Sequence, residues 1–172
     1  NSVKRISSLG AGPIGGGWTA HFLARGYDVT AYLHDKNETN SFMAILKTAW
    51  VSLEELGLAP GASMDRLRIV TDLEEALEGA DFVQESGPER LEVKQELYSE
   101  MGRILPPSII IGSSTSGLMM SDIQSDCSTP ERTVIGHPFN PPYLLPLVEI
   151  VGGKRTAPEA VAWAGEFYRA AG

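Results

Sequence analysis

Two polar side chains in the last quarter of the chain could form an acid–base pair. His137 lies in the segment GHPFNP, residues 136–141, and Glu149 follows it by twelve residues. Histidine is the usual general base near neutral pH, and a carboxylate on its second ring nitrogen selects the tautomer and stabilises the imidazolium. Since this spacing suffices for a strand, a turn and a returning strand, we predict that the two side chains face each other. The alternative is a structural histidine beside an unrelated glutamate.

A glycine-rich turn near the start of the chain predicts a nucleotide site. The segment GAGPIG, residues 10–15, follows a β-compatible run and precedes a helical pattern, so its amides and the helix dipole can receive a pyrophosphate. The first glycine permits a tight turn, the second leaves room for phosphate, and the third lets the helix pack closely on the strand. A purely structural turn is the alternative. The predicted cofactor residues of this segment are Gly10, Gly12, Pro13, Ile14 and Gly15.

The choice between NAD and NADP depends on the end of the second strand. An acidic residue there normally binds the adenosine ribose and selects NAD. Here Leu33 ends the strand, and Asp35 follows two residues later, either as the ribose ligand or as a surface turn residue. No arginine follows to bind a 2′-phosphate, and only Lys36 is basic, so we predict NAD as the cofactor.

The elements that must position these residues follow from the hydrophobic periodicity. Residues 109–111 form the clearest central strand, and the Ser116 that follows could bond a substrate hydroxyl. Alternation of strands and helices predicts an α/β, Rossmann-type doubly wound fold, with a mostly parallel sheet, helices on both faces and ligands at the carboxyl ends of the strands. The predicted strands cover 3–9, 29–33, 67–70, 81–84, 109–111, 133–136 and 147–151, and the predicted helices cover the stretch from the glycine turn to Gly26, 40–56, 73–77, 88–105 and 158–171, the last capped by Thr156.

Composition excludes several classes of protein. The chain has 172 residues, enough for one well-cored domain over 1–172, and one cysteine, Cys127, which excludes an internal disulfide and a multi-thiolate metal site. A formal charge of −8 disfavours nucleic acid and anionic membranes as partners. No signal peptide or apolar run of about 20 residues is present. We therefore expect a cytoplasmic enzyme, or a fragment of one, with a small-molecule substrate and no metal.

Four segments together resemble the cofactor-binding domain of the 3-hydroxyacyl-CoA dehydrogenase family over nearly the whole chain. They are the glycine turn, PERLEVK at 88–94, SSTSGL at 113–118 and the stretch 136–149. The resemblance implies that His137 removes the substrate hydroxyl proton, Glu149 orients His137 and Ser116 positions the oxygen. It also implies cofactor contacts from Glu89, Lys94, Ser116 and Asn140. Glu89 and Lys94 could instead form a solvated helix face, and Ser116 and Asn140 could cap turns.

The predicted 40–56 helix indicates the class of substrate. The acyl-CoA enzymes are expected to carry several lysines here for the CoA phosphates, whereas this helix has only Lys47, with Glu54 and Glu55. The resemblance, together with this lysine-poor helix, implies a small zwitterionic 3-hydroxy acid with a trimethylammonium group as the substrate. Trp50 or Tyr143 could meet that group, although Trp50 at its helical spacing could instead belong to the core. The alternatives are a 3-hydroxyacyl-CoA, a sugar acid such as gulonate, or a non-catalytic NAD-binding module.

The resemblance also implies a C-terminal helical domain, absent from this chain, that completes the substrate pocket and forms a homodimer. We expect its contact surface to be an exposed apolar patch on the last helix, around Ala162, Trp163, Phe167 and Tyr168.

Overall fold

A seven-stranded sheet forms the centre of the computed structural model, which describes residues 3–172. The strand order is β3-β2-β1-β4-β5-β6-β7; all neighbouring pairs are parallel except β6 and β7. The predicted Rossmann-type doubly wound class is confirmed. The strands are β1 (Arg5–Leu9), β2 (Asp28–Tyr32), β3 (Leu67–Val70), β4 (Phe82–Glu85), β5 (Ile110–Ser113), β6 (Thr133–Pro138) and β7 (Val148–Gly152).

Helices cover both faces of this sheet, as predicted. The six α-helices are α1 (Pro13–Ala24), α2 (Thr39–Leu56), α3 (Leu73–Leu77), α4 (Leu91–Ile104), α5 (Met120–Ile123) and α6 (Pro158–Ala170). One core cluster joins α1 and α6 to one face, and a second joins α3, α4 and α5 to the other. A single strand contributes to both clusters, because successive side chains of a strand point to opposite faces of the sheet: in β1, Ile6 belongs to the first cluster and Leu9 to the second.

Helix α1 is buried on all sides rather than on one face. Every residue from Gly15 to Ala24 is buried. A Cβ on Gly16 would lie 2.6 Å from Cγ2 of Ile45 in α2, and one on Gly17 would lie 2.8 Å from Cδ of Pro142. The small residues of α1 therefore allow the sheet, α2 and the 142–143 loop to enclose it.

Helix α2 matches its prediction except at its end. Phe42, Leu46, Ala49 and Leu53 are buried, whereas Leu56, the last apolar residue of the helix, is 66% exposed. Trp50 is partly buried and packs against the core, where its helical spacing places it. Gly57 ends the helix with φ of +102°.

One predicted helix start and one predicted helix cap are wrong. Helix α4 begins at Leu91 rather than at Pro88, because Arg90 is extended. Thr156 does not cap α6: its hydroxyl donates to the Thr133 carbonyl at 2.7 Å and accepts from the Gly153 amide at 2.8 Å. The cap position belongs to Ala157, which makes no side-chain cap bond. The Thr156 hydroxyl is therefore engaged by Thr133 and Gly153 and is not used to cap the helix.

The predicted apolar patch on the last helix is wrong for its two largest buried members. Phe167 and Tyr168 are 2% and 7% exposed, because this side of α6 packs on the sheet, whereas Trp163 is half-buried and Ala162 is exposed. One group of exposed large apolar side chains lies instead along the β6–β7 connection and on β7: Leu144, Leu145, Leu147 and Val151. Within residues 3–172, no helix combines the length and apolarity needed to cross a membrane.

Candidate active site

The candidate site lies at the carboxyl edge of the sheet, where β1, β4 and β5 end side by side. Leu9 of β1 pairs with Glu85 of β4, and Glu85 pairs with Ser113 of β5. The strand order reverses direction between β1 and β4, and open α/β sheets bind ligands at such switch points. The segments that follow these three strands therefore form the walls of one crevice.

The glycine turn has the shape that a pyrophosphate needs. Gly10 has φ of +125°, and a Cβ there would lie 2.2 Å from the Ser86 carbonyl oxygen. A Cβ on Gly15 would lie 2.3 Å from the Gly10 carbonyl oxygen, so β1 and α1 approach closely only without side chains. Beside Gly12 there is open space. No side chain caps the start of α1, and its amides remain available to an anion.

A cleft of about 590 Å³ leads away from the glycine turn between the ends of β1, β2 and β4. Tyr32, His34 and Glu38 line it on the β2 side. Asp35 is not among its lining residues: its carboxylate accepts from the Asn37 amide at 2.9 Å, in a capping box completed by Glu38. A ribose contact from Asp35 stays a prediction, and Leu33 is fully buried in the core.

A fully buried carboxylate, Glu85, stands at the back of the crevice. Its Oε2 accepts from Lys94 Nζ at 2.6 Å and from the Gly87 amide at 2.7 Å. Its Oε1 accepts from Ser113 Oγ at 2.6 Å and from the Tyr98 hydroxyl at 3.1 Å. Burial and the Glu85 charge raise the pKa of Tyr98 well above its usual value, so this hydroxyl remains a donor. Each carboxylate oxygen thus has two donors, as a buried charge requires.

Glu89 connects the start of α4 to the segment after β5. Its carboxylate accepts from Thr115 Oγ1 at 2.6 Å and from the amides of Ser116 at 3.1 Å and Gly117 at 3.4 Å. Partial burial alone would raise the pKa of Glu89, but these hydrogen bonds and the Lys94 charge outweigh it and hold the pKa below its ordinary value. Glu89 precedes α4, and Lys94 is 1% exposed, so the solvated-helix interpretation of the two residues is wrong.

A smaller pocket of about 120 Å³ continues the crevice toward β6. It brings together most of the polar residues that the sequence singled out, from four different segments. Pro13 is the first residue of α1 and does not line this pocket, and neither does Trp50 or Tyr143; the aromatic ring beside His137 is Phe139, with ring centroids 5.8 Å apart. The lining residues are Ile14, Ser86, Gly87, Glu89, Lys94, Ser114, Thr115, Ser116, His137 and Asn140.

His137 and Glu149 face each other across the antiparallel pair β6 and β7. They are register partners, and His137 Nδ1 lies 3.1 Å from Glu149 Oε1. Because a carboxylate only accepts, this contact favours the neutral tautomer that carries its proton on Nδ1, in which Nε2 has a lone pair that can accept a proton. The predicted spatial pairing is confirmed.

Sequence reasoning missed Gln84, Glu85 and Ser86 as parts of the site, and it gave Ser114 no role beyond its place in the 113–118 segment. Gln84 and Glu85 are both completely buried in β4, and Ser86 and Ser114 line the smaller pocket. One signal was available: two polar residues end an apolar strand, and buried polar groups need partners.

Comparisons with known proteins show the family of this chain. The sequence profile of the family described as 3-hydroxyacyl-CoA dehydrogenase, NAD binding domain, matches residues 5–172. An L-carnitine dehydrogenase of Streptomyces coelicolor is 53% identical over 171 residues, which are 99% of this chain and 54% of the relative. The L-carnitine dehydrogenase of Pseudomonas putida is 50% identical over 99% of this chain and 53% of the relative. The chain spans about half the length of the curated relatives it matches.

Solved structures show the same fold. An NAD⁺-dependent dismutase, 5-formyl-3-hydroxy-2-methylpyridine 4-carboxylic acid 5-dehydrogenase, superposes with a TM-score of 0.91 at 32% identity, covering 99% of this chain and 56% of that one. The 3-hydroxybutyryl-CoA dehydrogenase of Escherichia coli gives 0.90 at 29% identity, covering 99% of this chain and 37% of that one.

Proposed function

The chain belongs to the 3-hydroxyacyl-CoA dehydrogenase family as its NAD-binding domain, and from this we propose that the whole protein oxidises the 3-hydroxyl of L-carnitine. The substrate follows from the relatives, of which the Streptomyces coelicolor L-carnitine dehydrogenase is 53% identical across nearly this entire chain. Bound NAD supplies the hydride acceptor of the reaction. NAD binding itself fits the uncapped start of α1 and the open space beside Gly12.

One observation carries the proposed chemistry: His137 lines the same pocket as Glu89, Lys94, Ser116 and Asn140, with Nδ1 bonded to Glu149. We assign His137 Nε2 as the base that takes the hydroxyl proton. Glu149 accepts from Nδ1 and stabilises the imidazolium that forms. Ser116 is exposed at the pocket wall, where its hydroxyl can bond the reacting oxygen.

Cofactor contacts are proposed for the residues around this pocket and the glycine turn. Glu89 and Lys94 present a carboxylate and an ammonium group that suit ribose hydroxyls, and Asn140 presents an amide that suits the nicotinamide. Asp35 remains the proposed adenosine-ribose ligand, although its present bond to Asn37 would have to exchange.

The electrostatics of α2 support a small substrate over a CoA thioester. Lys47 is the only basic residue of this helix, and Glu54 and Glu55 are exposed on it. Such a surface attracts a cationic trimethylammonium compound and offers little to the CoA phosphates. A C-terminal helical domain, the homodimer it would form and a cytoplasmic location are further proposals. The relatives' greater length is compatible with such a domain.

The test is NADH formation by the whole protein with L-carnitine, 3-hydroxybutyryl-CoA and L-gulonate offered separately. We expect turnover with L-carnitine at the highest kcat/KM. A preference for the thioester or the sugar acid would refute L-carnitine as the substrate. The proposed oxidation of a 3-hydroxyl group by NAD would still stand. Tight NAD binding without turnover of any of the three would favour a non-catalytic module.

A further inference from the structure

A chain of hydrogen bonds runs from the core of the molecule to the smaller pocket. The Tyr168 hydroxyl on α6 donates to Gln84 Oε1 at 2.5 Å. Gln84 Nε2 donates to the Gly136 carbonyl at 3.2 Å and to Ser114 Oγ at 2.9 Å. Because the Gly136 carbonyl can only accept, the amide nitrogen must face it, and this sets the orientation of Gln84. Burial raises the pKa of Tyr168 above its usual value, so the Tyr168 hydroxyl remains a hydrogen-bond donor.

This series of hydrogen bonds ends at two serine hydroxyls, and a count of their protons shows that one donor is left for a ligand. Ser86 Oγ and Ser114 Oγ lie 2.8 Å apart. Ser114 Oγ already accepts from Gln84, and one of the two hydroxyl protons is used between the serines. The other hydroxyl proton has no acceptor among residues 3–172. Whichever serine donates to its neighbour, the pair keeps one donor in excess.

When Ser114 donates to Ser86, the spare donor is the Ser86 hydroxyl, and the position of Ser86 decides what that hydroxyl can reach. Ser86 lines both the large cleft beside the glycine turn and the smaller pocket that contains His137, whereas Ser114 lines only the smaller pocket and is 6% exposed. Ser86 thus stands at the junction of the two spaces. A dinucleotide that reaches from the glycine turn to His137 has its nicotinamide-side ribose between the pyrophosphate and the nicotinamide, and that ribose must pass this junction.

We propose that the Ser86 hydroxyl is a cofactor-binding group that donates to a hydroxyl oxygen of the nicotinamide-side ribose, with Ser114 and Gln84 as the residues that orient it. The proposal rests on NAD binding by this chain, which is part of the proposed function. It adds a neutral donor to the charged contacts of Glu89 and Lys94. It also connects the cofactor to the Gly136 carbonyl, which immediately precedes His137 in β6.

The test is the dissociation constant of NAD, measured by calorimetry on the whole protein without substrate. Loss of one neutral hydrogen bond should raise Kd about three- to tenfold in Ser86→Ala. Ser114→Ala should raise it less, and the double variant should match Ser86→Ala, because Ser114 acts through Ser86. Ser99→Ala is the matched control: this half-buried serine on α4 lies away from both spaces and should bind NAD like the wild type.

A cofactor analogue that lacks the hydroxyls of the nicotinamide-side ribose separates a contact from a change in folding. It should bind the wild type and Ser86→Ala equally well. Unchanged NAD affinity in Ser86→Ala, or a rise only in the KM of the substrate, would overturn the proposal. So would an analogue that still distinguishes the two proteins. If the wild type itself binds no NAD, the proposed function falls together with this inference, whereas failure in the variant alone leaves that function intact.

Discussion

The two halves of the candidate site are held in place in different ways. On the cofactor side, Glu85 and Lys94 form an ion pair whose side chains are 0% and 2% exposed, and the carboxylate has four donors. On the catalytic side, His137 and Glu149 share one hydrogen bond, and their side chains are 24% and 60% exposed. The first half is a closed network inside the protein, and the second is a pair near its surface.

The difference agrees with the role proposed for each half. A charge buried without partners costs several kcal/mol, so the buried Glu85 carboxylate needs the donors that surround it. A proton-transferring pair must exchange its proton with substrate and solvent, which a closed network would prevent. Strand register alone brings His137 and Glu149 together, and their exposure keeps the electrostatic cost low.

The largest expected effect lies on the catalytic side. His137→Ala should lower kcat by about 10²–10⁴-fold, the usual contribution of a general base. NAD affinity should stay within about twofold, because His137 makes no bond to the Glu85 network. Steady-state kinetics and calorimetry on the same preparation measure the two quantities. Unchanged turnover would refute the role of His137, and a comparable loss of NAD affinity would show that the halves are not separate.

The next largest effect tests the closed network. Lys94→Met leaves the Glu85 carboxylate buried without its cation and should reduce the free energy of unfolding by about 3–5 kcal/mol. Urea denaturation measures this loss. In the double variant Glu85→Gln, Lys94→Met, no buried charge is left without a partner, so most of the stability should return. If Lys94→Met is as stable as the wild type, the network does not hold the cofactor half together.

The smallest effect concerns Glu89, which lies between the two halves. Because its folded pKa lies below the ordinary 4.5, its stabilising contribution is present above pH 4.5 and is lost as the pH falls through the folded value. Glu89→Gln should raise the Kd of NAD about two- to fivefold near neutral pH. The melting temperature of Glu89→Gln should lie below that of the wild type. This difference should be constant between about pH 7 and 5 and should become smaller below pH 4.5.

Glu166→Gln, an exposed glutamate on α6, is the matched control for this series. It should bind NAD like the wild type, and its difference in melting temperature from the wild type should not change with pH in this way. A Glu89→Gln deficit that grows on acidification would contradict the assigned direction of the pKa shift.

Features that depend on neighbours in the sequence were predictable. The glycine turn, the strand–helix alternation and the twelve-residue spacing of His137 and Glu149 each have a local physical meaning, and the structure contains all three. The errors concern residues whose environment is set by distant segments. Thr156 has the composition of a cap but bonds to β6, and Phe167 and Tyr168 pack on the sheet rather than forming an exposed patch.

The class of fold, the family and the residue types available for chemistry can be inferred from the sequence, because periodicity and motifs involve positions close together in the chain. Which of these residues meet depends on the tertiary packing. Glu85, Lys94 and Ser113 lie on β4, α4 and β5, and they come within hydrogen-bonding distance because parallel strands end at the same edge of the sheet. No local pattern specifies such a meeting, since the loops between the segments leave their relative positions open. Packing, together with the cost of an unpaired buried charge, selects the arrangement in which each group finds its partner.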